Sequence, residues 1–374
     1  MVEIVEARTK KQQHEFIEFP LRLYKDCPYF VPPLYGDEKK IFRSDYMYYD
    51  QSEAVYYLAY RDGKAVGRIS GILQRASNEK MNEKRVRFTR FDSIDDQEVA
   101  NALFGAVEAW ARIRGMDTVC GPLGFSDLER EGLLIDGFDQ LSTFEEQYNY
   151  DYYPRLIENC GYGKEVDWNE SRLYLPDEPD DRLERSVGLL MKRYNLRIGP
   201  AKNIDDFLDK YADGFFTLLD KSYDKIYGTV PFTESMKKSL ITSFKLLIDL
   251  DHVAVVLNEK DEPVLLGLCF PSISEAVKKS NGHLTPAAIF RILHAKNHPK
   301  VLDLGLVGVD PEYANKGIGA FAAAALMRML RDDGIEYAET NLNLENNHQI
   351  QNMWKRFKRV IHKRRRSYVK TITE

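Results

Sequence analysis

The sequence predicts a mixed α/β protein built as two copies of one unit, and three observations carry that prediction. Its 374 residues favour two domains. It is 44% hydrophobic and 30% charged, a balance that can fill cores and excludes a disordered chain. Both halves then run strand, helices, hairpin, strand, helix and short strand, and a shared order argues for duplication more strongly than any local match.

The elements follow from local pattern. IVEA opens as a strand, and HEFIEFPLRLY places Phe16, Ile17 and Phe19 on a helix that Pro20 should end. YKDCPYFVPPLYGDEK, rich in Pro and Tyr, predicts an irregular segment. AVYYLAYRDGKAVGRISGIL is a hairpin around Asp62-Gly63, RVRFTRFDSI a strand, and VANALFGAVEAWARIRG a helix stopped by Gly115. TVCGPLGF follows as a short strand. After the acidic LPDEPDDR, the order repeats: LRIGPAK, helices over 203–223 and 233–248, and a hairpin over 252–270. The junction falls near 170–195, giving a first domain at 1–175, a linker helix at 176–195 and a second domain at 196–374.

Charge and cysteines exclude several classes. The net charge of −5 gives no global reason to expect a nucleic-acid binder. KRFKRVIHKRRR (355–366) is the local exception, with eight basic and no acidic residues. Its strand-like alternation favours cations shown to water, while leaving RNA phosphates as a possible partner. Cys27, Cys120, Cys160 and Cys269 form no CxxC pair, so neither zinc nor disulfides are expected and a cytoplasmic, reducing location is. No apolar stretch reaches membrane-spanning length, and no membrane partner is expected. His283, His294 and His298 lie in an insertion read as a helical lid rather than a metal site.

The segment from Lys300 carries chemistry: KVLDLGLVGVDPEYANKGIGAFAAAALMRMLRDDGIEYAETNLNLENNHQIQNMW reads as strand, glycine turn, helix and strand. Gly317 and Gly319 stand before an Ala-rich helix, where amides and the helix N-terminus suit an anion.

This pattern resembles the GCN5-related N-acetyltransferase (GNAT) superfamily through Val309, Pro311, Gly317, Gly319 and Asn347, over most of 196–374 in element order. The resemblance implies tandem acyl-CoA N-acyltransferase folds with acetyl-CoA or another acyl-CoA bound in the second copy. Val307 and Val309 would meet the pantetheine arm, Asn315, Lys316, Gly317, Ile318, Gly319 and Ala320 the diphosphate, and Asn347 and Trp354 the cofactor. Tyr223, Tyr227 and Phe232 fall where relatives shape the acceptor cleft. The first copy resembles a degenerate repeat, because Asp92, Asp95, Asp96 and Glu98 stand where its phosphate turn should be.

Two departures bear on mechanism. The usual Gln or Arg before the glycine pair falls on Ala314, and the frequent tyrosine acid falls on Trp354, whose indole has no proton to give. A thiol of pKa about 8.5 leaves without much help, but deprotonating a lysine-like amine at neutral pH costs about 4.6 kcal/mol, so a base is expected. Asp303, on the strand face shared with Val307 and Val309, is the candidate. The expected reaction is direct attack by a small-molecule or peptide amine on the acyl group. The rivals are an aminoacyl-tRNA-dependent transferase of the same fold and an inactive acyl-CoA- or ligand-binding protein. The sequence leaves the oligomeric state open.

Overall fold

The computed structural model describes residues 1–178 and 181–372. β1 (Glu3–Glu6) leads to α1 (Lys10–Leu23), which Thr9 and Gln12 cap reciprocally. α1 continues through Pro20 instead of stopping there. Proline removes the bond to the carbonyl four residues back, and that carbonyl, Phe16 O, accepts from Arg68 Nη1 at 2.8 Å. Next come α2 (Tyr35–Glu38), β2 (Ser52–Arg61) and β3 (Lys64–Gln74). At their hairpin, Asp62 and Gly63 take φ of 51° and 72°, the primed turn the DG pair predicts. α3 (Arg75–Met81), β4 (Arg85–Ser93), α4 (Gln97–Ile113), β5 (Thr118–Gly121), β6 (Leu133–Asp136), α5 (Tyr153–Asn159) and β7 (Gly163–Tyr174) follow.

The second half contains α6 (Asp181–Arg193), β8 (Arg197–Ile198), α7 (Ile204–Ser222), α8 (Glu234–Leu247), β9 (Val253–Leu257) and β10 (Pro263–Pro271). An insertion forms α9 (Ser274–Lys278) and α10 (Pro286–Asn297). β11 (Val301–Val309), α11 (Pro311–Ala314), α12 (Gly319–Asp332), β12 (Tyr337–Glu339), β13 (Asn343–Leu344), α13 (His348–Trp354) and β14 (Lys358–Thr371) complete the chain.

Two compact units emerge, but they do not divide at a single junction. The first comprises 1–169, 273–292 and 362–374, and the second 170–272 and 293–361. In the first, β1, β2, β3 and β4 pair antiparallel in sequence and β4 runs parallel to β5. Its next strand is the C-terminal β14, with Tyr368 opposite Gly121. In the second, β8, β9, β10 and β11 repeat the antiparallel series and β11 runs parallel to β12. There the next strand comes from the chain's first half, with Leu173 of β7 opposite Ala338. Each unit is thus completed by a strand from the other half of the chain.

The core of the first unit forms where α4 lays Val99, Leu103, Phe104 and Val107 on the sheet. In the second, α12 packs Phe321, Ala324 and Met327 in one cluster with Leu183 and Val187 of α6, so the segment read as a linker helix helps build that core.

The exchanged strand corrects the reading of the basic run. Lys363 and Arg365 are fully buried, and Arg364 and Arg366 both reach Asp167, at 3.2 and 2.8 Å. The alternation seen in the sequence is real, but the first unit covers this stretch of β14, which is no solvated face.

Buried charge recurs near the first unit's β4. Burial alone would raise the Glu38 carboxyl, but Arg90, bonded to it at 3.1 Å, outweighs that and holds it down at about 2. A carboxylate with a folded pKa below its ordinary 4.5 contributes stability above pH 4.5 and loses it as pH falls toward 2. Glu38→Gln should therefore be less stable than wild type at pH 6 and converge with it near pH 2, as urea titrations across that range would register.

Candidate active site

The site begins with an irregularity in β11. Val307 pairs with Gly267 and Leu304 with Cys269, so Gly305 and Leu306 together oppose the single residue Leu268. This is a β-bulge, and it re-aims the strand. Gly305 is required there, because a Cβ would lie 2.4 Å from Phe270 Cε2 and 3.0 Å from Leu268 O. On its other edge β11 pairs with β12 only from Val301 to Asp303, the last pair being Asp303 with Glu339. Beyond that pair the parallel strands part, leaving 304–309 along an opening with Asp303 at its apex.

β4 carries the same bulge, with Arg90 and Phe91 opposing Ile69 and Arg90 at φ 50°. The edge beyond that bulge is occupied by the chain itself, since Ser93 N donates to the Tyr153 hydroxyl at 3.0 Å and the Tyr152 hydroxyl donates to Ser93 O at 2.7 Å. The acidic turn before α4 also differs from expectation. Arg68 pairs with Asp92 at 2.8 Å, Arg155 with Asp95, and Arg61 with Asp96 and Glu98 at 2.6 and 2.8 Å. These partners offset the charge that was to repel a diphosphate. What obstructs an anion is the Asp96 side chain, which already accepts from Glu98 N and Val99 N.

The second unit's turn is built differently. Pro311 opens α11, Gly317 takes φ 79°, and α12 starts without a side-chain cap. Asn315, Lys316 and Gly317 are exposed, whereas Ile318 and Ala320 are buried, so those two can offer a ligand only their backbone. A Cβ on Gly319 would press on Met353 Cε at 3.2 Å. Lys316 Nζ stands 4.4 Å over the Tyr313 ring, an exposed cation beside the helix start. A backbone cradle, an open helix N-terminus and a lysine suit a diphosphate.

At the apex, Asp303 and Glu339 are both 4% exposed. Arg172 of β7, opposite Glu339, binds it at 3.3 Å. The ordinary surface role open to Asp303 from sequence is thereby removed. Two buried carboxylates thus stand on adjacent strands, one of them held by arginine. Glu339 escaped the sequence analysis, and aligning the short strand 337–339 in parallel with 301–303 is the signal that would have found it.

The remaining candidates divide. The Tyr223 hydroxyl donates to Val307 O at 3.0 Å, so two residues expected in separate roles meet, and that carbonyl already has a protein partner. Phe232 packs on Phe216, ring centroids 5.1 Å apart, as α7 packing rather than open cleft wall. Tyr227 is half-buried after α7. Asn347 caps α13, accepting from Ile350 N at 3.2 Å. Trp354 is a core residue, 5% exposed, with its indole N–H donated to Asn343 Oδ1 at 2.6 Å, so that N–H is committed within the fold rather than to a cofactor. His283 lies against Tyr35, centroids 4.3 Å apart, and His294 stacks on His298 at 4.7 Å. Among the described residues no group of three or more His, Cys, Asp or Glu is placed to hold a metal ion. All four cysteines are free thiols.

The strand order with its bulged fourth strand and following helix is the GNAT fold, present here twice, and the glycine turn and uncapped helix belong to the second copy. Residues 274–358 match the model of the acetyltransferase (GNAT) family. A tandem GNAT protein from the clavulanic acid biosynthesis pathway superposes over 100% of this chain and 99% of its own, with a TM-score of 0.56 at 12% identity. The chain is 28% identical to Protein YghO of Escherichia coli K12, over 97% of this chain and 94% of that protein. It is 26% identical to the bacterial ceramide synthase of Caulobacter vibrioides, over 88% and 86% of the respective chains.

Proposed function

We propose that this protein is an acyl-CoA-dependent N-acyltransferase whose donor site is the opening between β11 and β12. The observation that carries the reading is the contrast between the two copies: in the first, Tyr152 and Tyr153 occupy the strand edge and Asp96 caps the helix, while in the second α12 starts uncapped behind an exposed glycine turn. The 304–309 edge of β11 would hold the pantetheine arm, and the amides of 315–320 with Lys316 the diphosphate. A bound acyl-CoA supplies the activated thioester carbonyl. Asp303 would take the proton of the attacking amine, and Arg172 would hold Glu339 in place beside it. Tyr223 orients the bulge through Val307.

The resemblance to a bacterial ceramide synthase favours an amine bearing an alkyl chain.

Thermal shift with acetyl-CoA, longer acyl-CoAs and free CoA tests the donor site. Ligand at 100 times its Kd should add about 2.7 kcal/mol, or several degrees. Gly317→Glu, whose carboxylate repels the diphosphate, should abolish the shift. Gly317→Asn, uncharged and tolerant of positive φ, should largely keep it. No shift of the wild type with any CoA would remove the reading.

A further inference from the structure

Helix α10 turns its bulk outward. Leu284 just before it, and Ile289, Phe290 and Leu293 on it, are 50%, 46%, 71% and 44% exposed, while Ala288 and Ile292 are buried. At helical spacing Phe290 and Leu293 share one face with Ile289 at its margin, and Ala288 and Ile292 lie opposite. Two side chains thus anchor the helix while its larger apolar groups meet water. An isolated exposed leucine needs no explanation, but four large apolar side chains within ten residues do.

Charge supplies the second observation. Between Glu275 and Asp303 there is no acidic residue, although the whole chain is net negative. The same stretch contains Lys278, Lys279, Arg291, Lys296 and Lys300. Lys279 and Lys300 are exposed, and on the helix the spacing puts Lys296 beside Ile289 and Leu293, whereas Arg291 falls toward the buried side with its Nε out of water. Apolar side chains bordered by cations with no acid among them are what an interfacial helix presents to anionic lipid.

We propose that the α10 face docks on the surface of an anionic phospholipid bilayer, with Phe290, Leu293, Ile289 and Leu284 entering the headgroup layer and the flanking cations meeting lipid phosphates. Charge complementarity selects this occupant. A second copy would set the cations of this stretch against one another, with like charges opposed. A nucleic acid would engage the cations and leave the exposed Phe290 and Leu293 in water. No described helix is long and apolar enough to cross a membrane, but lying on one requires no such helix.

The test is flotation of the full-length protein with vesicles of phosphatidylcholine alone or with about one third phosphatidylglycerol. Wild type should float with the anionic vesicles and stay behind with the neutral ones. Phe290→Ser/Leu293→Ser should weaken partition at least about tenfold, with an unchanged thermal midpoint because both side chains are exposed. Lys279→Gln/Lys296→Gln/Lys300→Gln should remove the preference for phosphatidylglycerol. Failure of wild type to float, or equal flotation of the Ser pair, would overturn the proposal. So would a dimer in sedimentation that the Ser pair converts to monomer, since the face would then belong to a second copy.

Discussion

Asp303→Asn is expected to lower kcat by about 10²- to 10⁴-fold, the usual contribution of a positioned base, while leaving the acyl-CoA thermal shift intact. The side chain is buried at the apex of the opening and is the last β11 residue paired to β12. The substitution keeps its shape, so binding and chemistry should separate. A structural role would lower the thermal midpoint and raise KM; a base would lower kcat and remove the acidic limb of the pH profile. Normal turnover by the Asn variant would leave the reaction without its proton acceptor. Arg172→Met should lower kcat less than Asp303→Asn does, because it acts only through Glu339, the carboxylate it holds beside Asp303.

The largest stability loss is expected far from that chemistry, from Asp92→Ala. Asp92 accepts from Arg68 Nε at 2.8 Å and from the Tyr24 hydroxyl at 2.9 Å, and both residues of the ion pair are buried. Removing one partner strands a buried guanidinium, which typically costs about 3–5 kcal/mol. The loss should spread, because Arg68 also holds the Phe16 carbonyl freed by Pro20. The double variant Arg68→Met/Asp92→Leu should recover part of it, since a well-packed apolar pair carries no stranded charge. Urea denaturation of the three variants measures the difference, and an Asp92→Ala cost below 1 kcal/mol would show that Arg68 finds another partner.

Much of the fold was legible because it rests on local rules. The Asp62-Gly63 hairpin, the α4 pattern ending at Gly115 and the repeated order of elements all survive as read. What escaped depends on partners distant in sequence. Pro20 does not end α1, because Arg68 supplies a substitute donor from 52 residues away. The 355–366 run looks solvated on its own, and only the pairing of β14 with β6, Arg365 opposite Leu134, reveals why Arg365 is buried. The site divides in the same way. Asp303 and the glycine turn lie in one continuous stretch, whereas Glu339 and Arg172 join it through strand register, and Trp354 owes its burial to helix packing.

The exchange of β7 and β14 has a consequence on the ribosome. The partner that β5 needs lies in 368–371, so the leading unit cannot close its sheet until nearly the whole chain has been made. At about 5–20 residues per second, the roughly 200 residues after β7 take about 10–40 s to appear. During that interval β5 presents an unpaired edge, the kind of surface that invites association between nascent chains. Expressing the leading half alone would make that interval permanent, and aggregation is the expected outcome.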